Sequence, residues 1–268
     1  MAHILEQDRT WLLTHAEEAL PSAPAKKFET LVRRRETHEP IAYIVGHKDF
    51  YGRRFNVNKN VLIPRPETEL VIDEVKRSVG HDHNGSGSVI WDIGTGSGAI
   101  GVTLACELPH AQVLATDVST RALAVATKNA RSFRASNVMF LKSDLLQRPA
   151  YLFLEEAAKS STQLFVCANL PYLPESDKKK LDKDVVDFEP ARALFAQDEG
   201  LALIEQLLGQ LARHVAEWKF TKTTILFEFD PPQADALRNI ASKLFPRAKI
   251  VIQKDLAERE RLLKIELS

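Results

Sequence analysis

The chain has 268 residues, 44% of them hydrophobic and 27% charged, which suits a globular protein with one large α/β domain, a small appendage and no need of disulfide staples. Its 36 basic and 36 acidic side chains cancel, so there is no global electrostatic footprint for non-specific binding to nucleic acid or membrane. No apolar run reaches the ~20 residues of a membrane span, no basic-then-apolar leader opens the chain, and the two cysteines, Cys106 and Cys167, fall in apolar segments as small core residues of a reducing compartment; a cytoplasmic protein is expected.

From Ile4 to Leu20 the apolar residues Leu5, Leu12, Leu13, Ala16, Ala19 and Leu20 recur at helical spacing, until Pro21 and Pro24 break it. A second helix is predicted over Lys26–Glu36, with Phe28, Leu31 and Val32 inward and Arg33, Arg34 and Arg35 solvated. Pro40–Gly46 reads as a short helix closed by glycine, and Lys48–Val57 as a small hairpin. In Leu62–Leu70, Pro66 suits a first helical position, and Glu67 and Glu69 complement the helix dipole. Residues 81–88 are polar and glycine-rich, a linker between an N-terminal helical domain (1–80) and a second domain (89–268). Paired histidines in such a stretch, His81-Asp82-His83, read as linker and not as a metal site.

Beyond Ser88, strands and helices alternate. Strands are predicted at Val89–Gly94, Gln112–Asp117, Val138–Ser143, Leu164–Ala168 and Thr224–Phe229. Helices fit at Ala99–Glu107, Thr120–Phe133, Leu201–Val215 and Pro232–Leu244. This pattern calls for a parallel sheet with helices on both faces. Ile250–Gln253 and Leu262–Leu267 are joined by too few residues for a crossover helix, so they must pair as an antiparallel hairpin at one edge. The fold class is therefore α/β: a doubly wound, mainly parallel sheet of seven strands ending in an antiparallel hairpin.

The chain is organised around Ile90–Gly101, an apolar strand followed at once by Gly94, Gly96 and Gly98 and then by an amphipathic helix. Strand, glycine turn and helix bring backbone N–H groups up to a ligand. Gly96–Gly101 satisfies G-x-G-x-x-G, and Asp117 ends the next strand about 20 residues on, where an acid takes a ribose diol. That much fits a nicotinamide dinucleotide as well. Asp92-x-Gly-x-Gly-x-Gly shifts the balance, because it resembles the first motif of the class I S-adenosylmethionine methyltransferases, whose fold also carries the terminal antiparallel hairpin. The resemblance implies S-adenosylmethionine as cofactor. Gly94, Thr95, Gly96, Ser97 and Gly98 would pass under its amino-acid and sulfonium portion, and Asp117 would accept both ribose hydroxyls. Asp144 would sit near the adenine amino group, with Leu145 on the ring. An N-cap or turn role for Asp144 stays open.

Asn169-Leu170-Pro171-Tyr172 follows an apolar strand and so sits at its carboxyl end, where open α/β sheets bind substrates. An amide or aromatic NH₂ is a poor nucleophile because its lone pair is delocalised. The Asn169 side-chain oxygen and the Leu170 carbonyl could hold both N–H groups and aim the nitrogen at a methyl donor. Tyr172 could stack on the substrate or flank a cation, and Pro171 stiffens the loop. Catalysis would rest on orientation, with no metal.

Related Asn-Pro-Pro-Tyr motifs occur in methyltransferases of nucleic-acid amines and of protein glutamines. The segments Ile41–Gly46, Phe50–Gly52 and Leu62–Glu69, the block Asp187–Pro190 with Ala193-Leu194 and Glu199–Leu201, and Lys254–Ala257 with Arg261 are together similar to the protein-(glutamine-N5) methyltransferases of peptide chain release factors. The likeness runs from about Pro40 onward. It implies methyl transfer to the glutamine of a Gly-Gly-Gln loop in a release factor. Separately, a monomer that binds neither nucleic acid nor membrane is expected. The chain departs from that family at Leu170 (a proline there), at Glu258 (usually glycine), at Phe229-Asp230 (usually small residues) and in a short N-terminal region. Other readings remain: an RNA adenine-N6 methyltransferase, favoured by Leu170 and by the Arg33–Arg35 and Lys178–Lys180 clusters; a nicotinamide-dependent oxidoreductase; and an inactive binding module.

Overall fold

A computed structural model describes residues 1–80 and 84–268; the His81-Asp82-His83 motif lies outside the described residues. The chain opens with α1 (Ala2–Leu5), α2 (Arg9–Thr14), α3 (Ser22–Glu36) and α4 (Ile41–Val45). The single helix predicted over Ile4–Leu20 is thus two short ones. Glu6 takes a left-handed φ of 53° that ends α1, and the Asp8 side chain accepts from the Trp11 N–H at 2.7 Å, starting α2 afresh. None of α1–α3 has a buried residue. Phe28 and Val32, expected to face inward, are each 36% exposed. The arginine triplet is more engaged than a solvated face: Arg34 pairs with Glu39, and Arg35 reaches the Glu39 carbonyl and lies 3.5 Å from Asp184. Gly46 closes α4 with a φ of 83°. The expected hairpin follows as β1 (His47–Phe50) and β2 (Arg53–Asn56), antiparallel with His47 opposite Asn56.

A 3₁₀ turn at Pro66–Thr68 leads into α5 (Glu69–Val79). The alternating part then runs β3 (Ser88–Ile93), α6 (Ala99–Glu107), β4 (Gln112–Asp117), α7 (Thr120–Ser132), β5 (Val138–Lys142), α8 (Arg148–Ala157), β6 (Gln163–Ala168) and β7 (Leu173–Pro174). It continues through α9 (Lys183–Phe188), β8 (Phe195–Ala196), α10 (Ala202–His214), β9 (Lys222–Glu228), α11 (Ala234–Leu244), β10 (Lys249–Lys254) and β11 (Glu260–Leu267). Seven strands form one sheet in the order β5-β4-β3-β6-β9-β11-β10. All pairs from β5 to β9 are parallel, and β11 is antiparallel to both β9 and β10. Helix α8, absent from the sequence reading, is the crossover between β5 and β6. Pro149 there reads as a breaker but stands in the first turn, where a helix has no use for its missing N–H.

The residues of β3 alternate between two buried faces, as a central parallel strand requires. Val89, Trp91 and Ile93 pack with Leu154 of α8, Leu207 and Leu211 of α10 and Leu237 of α11. Ile90 packs with Val71, Ile72 and Val75 of α5 and Leu104 of α6. The sheet's core therefore runs across position 80, and α5 is part of it. Cys167 is buried in that core and Cys106 half-buried, both as free thiols. From β3 the chain steps to β4 and β5 on one side, then returns to β6 on the other. At such a reversal the strand ends part and leave a crevice at their carboxyl ends.

Candidate active site

A cavity of about 420 Å³ opens at that crevice, within the range of small-molecule sites. Its floor is the glycine loop. The Asp92 carboxyl, 1% exposed at the end of β3, accepts from Thr95 Oγ1 at 2.6 Å and the Gly101 N–H at 2.8 Å, both through Oδ2. These bonds fold the loop back onto the strand and fix the start of α6. Burial pushes the Asp92 carboxyl up to about 6, against the pull of Thr95 and Gly101. Its Oδ1 has no hydrogen-bond partner among the described residues, although the residue lines the cavity. At the end of β4, Asp117 accepts from the Gly96 N–H at 3.0 Å and the Ser119 N–H at 2.8 Å, one to each oxygen. Burial raises this carboxyl too, opposed by those same amides.

Gly94, Thr95, Gly96 and Ser97 line the cavity, and Gly98 does not. Gly98 has a φ of +84°, and a Cβ there would stand 2.8 Å from Val102 Cγ2 and 3.2 Å from the Ala126 Cβ. Glycine at 98 thus serves the packing of α6 on α7. Asp144 and Leu145 also line the cavity. Helix α8 takes Gln147 as its N-cap, so Asp144 is no cap and is exposed at the cavity edge, while Leu145 is buried with a φ of +50°.

The facing wall comes from two segments far apart in sequence, Asn60–Thr68 and Pro190–Ala193. Buried Glu189 joins them, accepting from the Ile63 N–H at 3.0 Å and from the Arg65 guanidinium. Sequence motifs marked both stretches without showing that they meet.

Asn169 and Leu170, at the end of β6, complete the wall. The Asn169 Nδ2 is 3.0 Å from both Thr68 Oγ1 and Glu228 Oε2. Thr68 Oγ1 itself donates to Glu228 Oε2 at 2.6 Å, so these close acceptors share one N–H of the amide. Among the described residues, neither the Asn169 Oδ1 nor the Leu170 carbonyl receives a hydrogen bond. The Leu170 side chain is buried in the sheet core. Pro171 also lines the cavity, but Tyr172 does not: its hydroxyl donates to Glu228 Oε1 at 3.1 Å. Burial beside that carboxylate pushes the phenol well above its usual range. The loop is pinned from behind, where Gln233 Nε2 donates to the Tyr172 carbonyl at 2.7 Å and the Glu199 carbonyl at 2.9 Å. Gly200 passes so close that a Cβ would fall 1.8 Å from the Tyr172 oxygen.

Thr68, Glu228 and Gln233 were missed by sequence reasoning. The available signal for Glu228 was an acid within an apolar strand, at the same carboxyl edge as Asn169. Among the described residues no group of side chains could hold a metal.

The family profile described as PrmC N-terminal domain matches residues 1–46, and that described as Methyltransferase small domain matches residues 68–152. A release factor glutamine methyltransferase of Staphylococcus aureus (strain NCTC 8325 / PS 47) is 36% identical over 266 residues, covering 99% of this chain and 90% of that protein. The chain belongs to the release factor glutamine methyltransferases. A Neisseria gonorrhoeae member is 37% identical over 244 residues, 91% of this chain and 82% of that one. Among solved structures, the hMettl16 catalytic domain, in complex with a MAT2A 3'UTR hairpin, shares the fold with a TM-score of 0.60 at 17% identity, over 81% of this chain and 76% of that one. Human methyltransferase 10 domain containing protein does so with a TM-score of 0.54 at 16% identity, over 94% and 99%. Membership in the release factor glutamine methyltransferases makes the chain a methyltransferase and sets aside the oxidoreductase reading. Among the described residues, no helix is long and apolar enough to cross a membrane.

Proposed function

We propose that this cavity binds S-adenosylmethionine and that the chain methylates the side-chain amide nitrogen of a glutamine in the Gly-Gly-Gln loop of a peptide chain release factor. The cofactor, when bound, supplies a methyl group made electrophilic by its sulfonium. The donor set suits it. The orphan Asp92 Oδ1 offers a buried acceptor to an ammonium group, with the Gly94–Ser97 backbone beneath the amino-acid portion. Each Asp117 oxygen keeps a lone pair for a ribose hydroxyl beyond its backbone bond. Asp144 and Leu145 line the same cavity for an adenine edge and face.

The observation that carries the acceptor reading is a pair of oxygens on two wall residues, Asn169 Oδ1 and the Leu170 carbonyl, that accept no hydrogen bond among the described residues. Two acceptors match the two N–H groups of a primary amide. Gripping both would turn the nitrogen's lone pair toward the donor, and the proton that the nitrogen gives up on methylation would pass to solvent, since neither gripping oxygen is basic enough to keep it. Holding the amide this way supplies orientation and charge stabilisation. Leu170 in place of a family proline keeps a backbone carbonyl at a position that lines the cavity. Helices α1–α3, with Leu13 71% exposed and Phe28 and Val32 partly so, are proposed to dock the release factor as part of an N-terminal region spanning residues 1–80.

The test is to mix the purified chain, isotopically labelled S-adenosylmethionine and a release factor, and to map the label by peptide mass spectrometry. Label on the glutamine of the Gly-Gly-Gln loop is expected. Label elsewhere on the protein, or only on added RNA, would remove the substrate assignment.

A further inference from the structure

Glu228 takes no part in the transfer just described, yet its carboxylate is 1% exposed and lies against Asn169. Beta strands β6 and β9 are parallel neighbours with Ala168 opposite Phe227, which sets Asn169 and Glu228 side by side at the carboxyl edge of the sheet. Among the described residues, three groups hydrogen-bond to the carboxylate: Thr68 Oγ1 at 2.6 Å, Asn169 Nδ2 at 3.0 Å and Tyr172 Oη at 3.1 Å.

We infer that Glu228, together with Thr68, is a positioning element that decides which end of the Asn169 amide faces the substrate. The inference rests on Asn169 being the group that grips the acceptor amide. The two ends of an asparagine amide are nearly equal in size, so packing alone does not tell oxygen from nitrogen. Turned about its terminal torsion, Asn169 would present NH₂ to an incoming NH₂, and donor would meet donor. An ionised carboxylate only accepts, so it draws the NH₂ end of Asn169 toward itself. Thr68 has one hydroxyl proton and gives it to Glu228, which leaves its lone pair to accept from the same NH₂. Both partners therefore specify one orientation, and the carbonyl end is left for the cavity. Tyr172 donates to the second carboxylate oxygen, so all three neighbours treat Glu228 as an acceptor.

The rule holds only while Glu228 is ionised. Burial pushes its carboxyl upward, against the Thr68 and Tyr172 hydroxyls and the Arg261 guanidinium, while Glu67 adds to the rise. A protonated Glu228 can donate and no longer excludes the turned amide. The sign follows: turnover is lost as pH falls through the raised pKa of Glu228 and is full above it.

The experiment is steady-state methylation of a release factor by wild type, Glu228→Gln, Thr68→Val and Thr68→Ser, with cofactor affinity measured by calorimetry on each. Glu228→Gln, which offers a donor where the carboxylate accepted, is expected to lower kcat about 10- to 100-fold with cofactor Kd and release-factor KM within about threefold. The acid limb of kcat that belongs to Glu228 should disappear with it. Thr68→Val should lose about three- to tenfold in kcat, and Thr68→Ser should recover most of that loss. An unchanged kcat in Glu228→Gln overturns the inference, as does a parallel fall in cofactor affinity and melting temperature, the mark of a merely structural acid. Should Glu228→Gln not fold, the Thr68 pair decides: equal turnover in Val and Ser overturns it. Asn169→Ala separates the two layers. If it methylates normally, the reading of Asn169 fails and this inference with it; if it is inactive while Glu228→Gln turns over normally, only the inference about Glu228 fails.

Discussion

The carboxyl edge of the sheet and the N-terminal helices are built on opposite terms. At the edge, buried and half-buried acids and amides restrain one another: Asp92 with Thr95 and Gly101, Asp117 with Gly96 and Ser119, Glu228 with Thr68, Asn169 and Tyr172. In α1–α3 no residue is buried, and large apolar side chains lie at the surface. A buried polar group left unpaired is costly, so a network of them has few arrangements and holds its geometry. An exposed apolar residue constrains little, and its worth lies in what it meets. The first region is made for orienting small groups, the second for surface contact.

That contrast can be broken most sharply at Asn169. Replacing it with alanine should cut turnover by about 10²- to 10³-fold and leave cofactor affinity, read by calorimetry, within about threefold. A collapse of affinity would make Asn169 part of the cofactor site instead. Asp117→Ala should do the converse, weakening the cofactor by about 10- to 100-fold through lost charge-assisted bonds, with turnover at saturating cofactor much less affected.

Proton linkage sharpens the picture. Asp92 titrates near 6, above its usual 3.8, because it is buried. Between those values the native state holds more protons than the unfolded chain, so this group favours the native state as pH falls through about 6 and ceases to do so above it. In the proposed site its ionised form is the one that would receive the cofactor's ammonium. Cofactor affinity should therefore weaken by up to about tenfold per pH unit as pH falls below about 6. Burial raises Asp117 as well, so Asp92→Asn is titrated calorimetrically in parallel, and the share of the pH dependence it loses isolates Asp92. The smallest effect on the fold is expected at Leu13. Leu13→Ser should change stability by less than ~0.5 kcal/mol yet raise KM for the release factor. A large drop in melting temperature would show that the helices carry core after all.

Much of this molecule was legible in the sequence because it is written locally. Helix Ala99–Glu107 and strand Gln112–Asp117 fall where periodicity placed them. The glycine loop and the Asn169–Tyr172 turn could be set at strand ends because apolar runs precede them. What could not be read was mutual. Glu228, Thr68 and Asn169 stand far apart in the chain, and no spacing rule says that three strand and turn ends converge. The direction of Tyr172, toward Glu228 and out of the cavity wall, follows from that convergence. The break at Glu6–Asp8 was missed for another reason: apolar spacing outweighed a capping aspartate in a segment with no core to enforce a single helix. Glu258, noted as a departure from glycine, does occupy a left-handed turn position, with a φ of 60°.

Strand β11 is made after β10 yet lies inside it, pairing Leu262 with Glu228 of β9 on one flank and with Gln253 of β10 on the other. A chain emerging from the ribosome through β10 would still have an open edge beside the acid that orients Asn169. The flank of β9 that carries Glu228 is thus covered last, and premature stops or clipping that remove β11 should leave that strand edge open and the Asn169 support unfinished.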